Sequence, residues 1–293
     1  MTILSLTLLL VAADPADGLA KSMLPIYVKE AESYSMTVES APKKPLVLRK
    51  EPVFEWLNRA RGDTQGTLFV WTRDGKPAAL ACIFSYPHHK LPGRQVVHEL
   101  HALDAEKLIV KRDENLSEWK PEAGLARKEL TDAPAPAATA EARLAQMRRL
   151  AQEFTGHSVD REKKTWEFRL LPAPLYRYAT SAKTGVIDGA LFALISTAGT
   201  DPEVLILIEA KEVDGKMQWE YACGRFSDWE LRVQRKDKEV YASVPSETNN
   251  GSHDPLHLYR VIPSLVVSKE GKTIARFRPT PNGGTVLVPI EEK

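Results

Sequence analysis

Apolar residues are concentrated in two long blocks in the second half of the chain, at residues 189–196 and 204–211. Residues 198–202 separate the blocks, and their glycine and proline are typical of a turn. Continuous apolar runs of this length, bounded by turn residues, favour buried strands. We therefore predict two buried antiparallel strands joined by a turn.

A similar block occurs earlier, because Gly66 opens an apolar run just as Gly189 does, at an offset of 189 − 66 = 123 residues. The aromatic residues of 52–56 match those of 174–178, and the charged run 104–113 resembles 228–237. This ordered correspondence predicts an internal duplication of a β-meander. The alternative is that two β-rich halves resemble each other by chance composition.

Two Asp-Gly pairs, Asp74-Gly75 and Asp214-Gly215, stand between alternating apolar runs. Glycine readily takes the positive φ angles of tight hairpin turns, so both pairs predict hairpins. After residue 244, polar residues lead to three predicted short strands at 258–267, 273–277 and 285–288.

Only residues 139–155 show clear helical spacing. Leu144, Met147, Ala151 and Phe154 fall on one face, Thr139 is a suitable N-cap, and Gly156 a suitable stop. The preceding residues 114–138 are predicted to be an extended connector. Residues 14–24 are predicted to be a mobile N-terminus, and the run from Pro25 a half-exposed strand.

These elements predict an α+β protein, mostly antiparallel β, with two similar meanders and one amphipathic helix between them. The predicted segments are a signal peptide at 1–13, a first meander at 25–113, a connector and helix at 114–156, a second meander at 157–243, and a linker with a C-terminal β extension at 244–293.

Composition narrows the function classes. The chain has 293 residues, 43% of them apolar, with 40 basic and 39 acidic residues. Such a balance provides no attraction to nucleic acid, and no nucleic-acid partner is predicted.

The apolar run at residues 3–13 is too short for a membrane span, and it resembles the apolar part of a secretory signal, followed by small residues for cleavage. A periplasmic or secreted protein without a membrane span is therefore predicted. A buried N-terminal strand is the alternative.

The two cysteines, Cys82 and Cys223, each lie in a predicted apolar strand. Export permits a disulfide between them. Buried free thiols are the alternative, and they are favoured because the two cysteines do not occupy matching positions of the repeat.

The sharpest candidate chemistry is His98-Glu99-Leu-His101, with His88 and His89 ten residues earlier. The zinc-protease motif is absent, since it needs two histidines four apart on a helix. On a strand, Glu99 and His101 share one face and His98 takes the other. Imidazole and carboxylate from these five residues could hold zinc. Ordinary polar positions on a strand and a loop are the simpler interpretation, and no cofactor is predicted.

Three aspartates also stand out. Asp104 and Asp228 occupy related places before strands, where paired carboxylates could support acid–base chemistry. Asp188 precedes Gly189. Turn formation through bonds to nearby backbone amides is the simpler role for all three.

Six tryptophans could either fill the core or line a face that binds carbohydrate or peptide, and core packing is the commoner fate. They are Trp56, Trp71, Trp119, Trp166, Trp219 and Trp229.

An ordered set of segments resembles a group of exported proteins of planctomycete-type bacteria. It includes Pro52-Val-Phe-Glu-Trp, Gly66-Thr-Leu-Phe-Val-Trp-Thr, His98-Glu-Leu-His and Asp188-Gly-Ala-Leu-Phe-Ala. The resemblance covers residues 45–242. It implies a shared architecture and assigns no catalytic residue.

The leading functional hypothesis is an exported, non-catalytic binding or structural protein, whose partner is an envelope or extracellular protein or a glycan. The alternative is a metal-dependent or acid–base hydrolase that uses Glu99 and His101.

Overall fold

A computed structural model describes residues 15–58, 62–112, 116–179, 185–197, 199–244, 256–280 and 284–290. Within these residues the chain forms two helices and nineteen strands. The first half contains α1 (Pro15–Glu32), β1 (Tyr34–Val38), β2 (Val47–Asn58), β3 (Thr64–Arg73), β4 (Lys76–Pro87), β5 (Gly93–Ala102), β6 (Leu108–Arg112), β7 (Leu116–Trp119) and β8 (Lys128–Glu129).

The second half contains α2 (Ala140–Gln152), β9 (Phe154–Val159), β10 (Thr165–Leu170), β11 (Tyr176–Tyr178), β12 (Val186–Ser196), β13 (Pro202–Val213), β14 (Lys216–Arg225), β15 (Glu230–Arg235) and β16 (Lys238–Ser243). The C-terminal part adds β17 (Tyr259–Ser268), β18 (Thr273–Pro279) and β19 (Thr285–Pro289). The predicted α+β class with mostly antiparallel strands is confirmed.

The strands form three sheets. One has seven strands in the order β19-β18-β17-β5-β4-β3-β2. Another has nine strands in the order β16-β15-β9-β10-β12-β13-β14-β8, with β11 also pairing with β12. A third contains β1-β6-β7. The C-terminal strands belong to the seven-stranded sheet, because β17 pairs with β5 along its whole length.

Three apolar cores separate the layers. The first core lies between α1, the three-stranded sheet and one face of the seven-stranded sheet. The second joins the other face of that sheet to the nine-stranded sheet. The third lies between the nine-stranded sheet and α2. Each large sheet is therefore covered on both faces, which explains why β3, β4, β12 and β13 are apolar without alternation.

The two halves share several features of connectivity. Helix α1 packs against β3 and β4, and α2 packs against β12 and β13. Strand β1 pairs with β6, and β9 pairs with β15. In each half a glycine faces an aromatic ring on the preceding strand, Gly66 opposite Trp56 and Gly189 opposite Tyr178. At each glycine a Cβ would collide with that ring.

Both predicted Asp-Gly hairpins are confirmed. Asp74 and Gly75 connect β3 to β4 with φ angles of 52° and 86°, and Asp214 and Gly215 connect β13 to β14 with 51° and 73°. Positive φ at both central residues matches the twist of the flanking strands.

The prediction for the N-terminal region is wrong, because the described residues contain a helix there that the sequence did not predict. Residues 15–32 form α1, where a mobile segment and a strand were expected. Leu19, Met23, Tyr27 and Ala31 recur every fourth residue and pack in the first core. The run after Pro25 is rich in β-branched and aromatic residues, which concealed this helical period. Pro25 itself is exposed on the outer side of the helix.

The predicted helix at residues 139–155 is confirmed as α2, and the Thr139 side chain caps it by accepting from the Ala142 amide. Its predicted end is wrong, because the chain leaves the helix at Glu153 and Gly156 lies inside β9. The predicted connector also contains the short strands β7 and β8. Trp119 of β7 is fully buried and donates its Nε1 proton to the His257 carbonyl at 2.7 Å.

Candidate functional site

A pocket of about 280 Å³ lies where the two large sheets meet. Three carboxyl groups line it, from Glu99, Asp201 and Asp228. Its aromatic lining comes from Trp56, Phe84, Tyr86, Phe226 and Trp229. Pockets that combine aromatic walls with a few convergent polar groups are the usual form of ligand sites. We call this the carboxyl–aromatic pocket.

The aromatic wall follows from strand alternation and pairing. Phe84 and Tyr86 stand two apart on β4 and therefore share a face. The Phe84 ring lies 6.2 Å from the Tyr86 ring and 6.1 Å from the Trp56 ring, measured between centroids. The Trp56 ring is held in position by a hydrogen bond, because its Nε1 donates to the Cys82 sulfur at 3.3 Å. The three rings form a continuous apolar surface.

Asp201 reaches the pocket through the turn between β12 and β13. The Thr200 hydroxyl donates to the Leu57 carbonyl at 2.8 Å, and the Asn58 amide donates to Asp201 Oδ1 at 3.3 Å. Gly199 permits this approach, because a Cβ there would collide with the Asn58 amide nitrogen and the Asp201 carboxylate. The turn that the sequence predicted therefore also delivers a polar group to the site.

Glu99 is an acid whose pKa is shifted by its position in the pocket. Its Oε1 accepts a hydrogen bond from the Tyr259 hydroxyl at 2.9 Å. Burial raises the pKa of Glu99 well above its usual value, and the nearby Asp228 carboxyl raises it further. Glu99 therefore favours its uncharged form, in which it can donate as well as accept a hydrogen bond.

His98 lies on the opposite face of β5, as strand alternation predicts. It is fully buried, and its Nδ1 lies 2.7 Å from the Tyr34 hydroxyl. Its other ring nitrogen lies 3.3 Å from the Glu30 carboxylate, which also pairs with Arg112. Burial and the Arg112 charge lower the His98 pKa to about 4. This network joins α1 to the seven-stranded sheet.

His101 shares the face of Glu99 but does not line the carboxyl–aromatic pocket. Its Nδ1 donates to the Ala102 carbonyl at 2.8 Å, since a carbonyl can only accept. The ring lies against Gly224, where a Cβ would come within 2.7 Å of it. Burial lowers the His101 pKa to about 4.

His88 and His89 lie in the loop between β4 and β5, with their rings stacked at 4.7 Å. His88 Nδ1 accepts hydrogen bonds from the Lys90 and Leu91 amides. The five candidate metal ligands thus occupy separate places on both faces of β5 and in this loop. Across the described parts of the chain, no three His, Cys, Asp or Glu side chains are grouped as a metal site would require.

The predicted aspartates have different roles. Asp104 accepts from the Glu106 amide at 2.9 Å and from Arg73 at 2.7 Å, which confirms its turn-forming role. Asp188 is buried and pairs with Arg143 of α2 and with Arg177. Asp228, in contrast, lines the pocket beside Glu99.

Four tryptophans are buried as core residues, namely Trp56, Trp71, Trp119 and Trp219. Trp166 and Trp229 are half-buried. Cys82 and Cys223 are buried free thiols, so the interpretation that was favoured over a disulfide is confirmed.

Sequence reasoning missed the contributions of Asp201 and Tyr259, whereas Trp229 was one of the six tryptophans considered for a binding face. Asp201 was interpreted as a turn residue only, and Tyr259 lies 160 residues from the Glu99 carboxyl that it contacts. One local feature of the sequence did point to this pocket. It is the adjacent pair Asp228-Trp229, which places a carboxyl group and an aromatic ring just before β15.

No protein-family model, curated protein or solved structure matches the chain. Neither helix of the described chain has the length and apolar character that crossing a membrane requires.

Proposed function

We propose that this is an exported binding protein that holds a neutral or aminated sugar of a glycan in the carboxyl–aromatic pocket. The observation that carries this function is the three-ring wall of Trp56, Phe84 and Tyr86 facing carboxyl groups in one cavity. Aromatic faces pack against the C–H faces of sugar rings, and carboxyl groups bind sugar hydroxyls through strong hydrogen bonds.

The size and the charge of the pocket limit which sugars it can bind. A pocket of about 280 Å³ is slightly smaller than the usual range for ligand sites, about 300–1,000 Å³. One or two sugar rings therefore fit better than a long chain. Besides the uncharged Glu99, the acidic residues Asp201 and Asp228 outnumber Arg161, the one cation among the described lining residues, and this acidic excess disfavours sugar acids.

Export is supported by the apolar run at residues 3–13, which lies outside the described residues. The resemblance to exported planctomycete-type proteins agrees with it. Both remain predictions, which mass determination of the protein from an exporting host would test through loss of the first 13 residues.

An array of neutral, aminated and acidic glycans tests the ligand class. We expect the protein to retain neutral or aminated glycans, and Trp229→Ala to lose at least tenfold in affinity. The matched control is Trp166→Ala, because Trp166 is also half-buried but lies on β10 beneath Lys164. Equal binding by the two variants, or a preference for acidic glycans, would contradict the assignment.

A second candidate function is acid–base hydrolysis of a glycosidic bond. It is favoured by the position of Glu99, whose pKa is raised by burial, beside the Asp228 carboxyl, since such cleavage uses a pair of carboxyl groups with one of them protonated. The pair differs from the predicted Glu99 and His101. A panel of 4-nitrophenyl glycosides tests it. Hydrolysis that disappears in both Glu99→Gln and Asp228→Asn would support the enzyme, and no turnover would leave binding alone.

We also infer that the two halves arose by internal duplication. Support comes from the equivalent helix contacts, the matching strand pairs and the glycine–aromatic pairs at Gly66 and Gly189. On this interpretation the site lies between the two copies and does not repeat, because each half contributes different residues to it.

A further inference from the structure

A second and larger cavity of about 640 Å³ lies beside the carboxyl–aromatic pocket, on the far side of Tyr259. It occurs where the two ends of the nine-stranded sheet approach each other. Lys128 of β8 donates to the Val240 carbonyl of β16 at 3.1 Å, which joins the β8 end of the sheet to the β16 end. We call this cavity the edge groove.

Two strand edges line the edge groove. Strand β8 pairs with β14 only at Glu220 and Tyr221, so β14 continues through residues 222–225 past the end of its neighbour. On the opposite side, β16 has β15 as its single strand neighbour within the described residues. Such edges present a row of backbone donors and acceptors that another extended chain can pair with.

The walls of the groove are apolar with a basic rim. Val244 and Leu256 are large apolar residues that remain 57% and 45% exposed at its border. Two cations, Lys128 and Arg225, line it against one acidic residue among its described lining, Glu122. The described polar lining also includes His101, His257, Ser243 and three tyrosines. Exposed apolar residues beside strand edges are unusual unless a partner covers them. The cationic excess favours a partner that carries acidic side chains.

We propose that the edge groove binds an extended, acidic peptide segment of another protein, which adds as a strand to the nine-stranded sheet. Backbone hydrogen bonds to the strand edges would supply affinity. Alternate apolar side chains would enter the groove, and an acidic side chain would meet Lys128 and Arg225. This peptide site is separate from the glycan pocket, and neither requires the other.

Selection from a displayed library of random octapeptides on the full protein tests the partner class. We expect enriched sequences to alternate apolar and polar residues and to contain Asp or Glu. Failure to enrich any sequence, or enrichment at the three-to-four-residue spacing of a helix, would overturn the proposal.

Backbone pairing is then tested with the best peptide, labelled with fluorescein, and the same peptide N-methylated at alternate residues. N-methylation removes backbone donors while leaving every side chain in place. We expect at least a tenfold loss of affinity for one of the two methylation registers, measured by fluorescence polarisation. Equal affinity of the plain and both methylated peptides would show that strand addition does not occur.

The basic rim is tested by Lys128→Glu, which should weaken binding of the acidic peptide at least tenfold. Lys216→Glu is the matched control, because Lys216 is an exposed lysine at the other end of β14 and outside the groove. Circular dichroism would show that both variants are folded. Equal binding by both folded variants would overturn the contact of an acidic side chain with Lys128 and the acidic character of the partner.

Discussion

Lowering the pH from about 7.5 to about 5.0 should destabilise the protein through His101. This side chain is only 2% exposed, and burial holds its pKa at about 4 against an ordinary 6.5. The nearby Arg225 charge lowers the pKa further, whereas the hydrogen bond to Ala102 opposes the shift. Between these two values the unfolded chain binds a proton at His101 and the folded chain does not, so stability falls as the pH falls.

The two pKa values set the size of the effect. The interval between them corresponds to about 3 kcal/mol of unfolding free energy once the pH is below 4. At pH 5.0 about 2 kcal/mol of this is already lost, because the unfolded state is almost fully protonated there.

Urea unfolding of the protein and of His101→Asn at the two pH values measures this contribution. Asparagine keeps a donor for the Ala102 carbonyl but cannot titrate. The variant should lose about 2 kcal/mol less than the parent between pH 7.5 and 5.0. His89→Asn changes an exposed loop residue and serves as the control. This variant should lose as much unfolding free energy between the two pH values as the parent does. If His101→Asn loses as much stability as the parent, burial of a neutral His101 is not the cause.

Further substitutions test the buried charges and the close glycine contacts. Glu99→Gln should raise the urea midpoint at pH 7.5, because it removes a carboxyl whose ionisation burial opposes; an unchanged or lower midpoint would contradict this. Glu209→Gln should instead cost about 3 kcal/mol of unfolding free energy, since it leaves the largely buried cations Lys76 and Arg127 without their carboxylate. A loss below about 1 kcal/mol in urea unfolding would contradict this. Gly189→Ala should lower the thermal midpoint, because its methyl group would meet the Tyr178 ring. Gly18→Ala, in open space on α1, should stabilise by up to about 1 kcal/mol, and the same sign for both alanines would refute the steric account.

The sequence predicted the structure correctly wherever a few neighbouring residues decide the backbone conformation. The Asp-Gly hairpins depend on two residues with positive φ, and the start of α2 depends on one capping hydroxyl at Thr139. The same holds for the opposite placement of His98 and Glu99, which needs only the two-residue period of a strand. Helix α1 was missed because residues such as Tyr27 are common in strands, and its burial against β3 and β4 outweighs that preference.

The candidate site could be predicted only in fragments. Glu99 was identified from its neighbours in sequence, and Asp228 from its place before a strand. Their meeting depends on how the two large sheets pack, which the alternation of residues within a strand does not describe.

The sequence by itself therefore determined the strand-rich class, the hairpins, the capped helix and which side chains share a face of each strand. These features follow from backbone sterics and from hydrogen bonds between near neighbours. Only the tertiary structure decided which faces meet, and so placed Glu99, Asp201 and Asp228 around one pocket. Contacts between distant segments arise from the packing of whole sheets, and the burial that shifts the Glu99 pKa exists only once those sheets have come together.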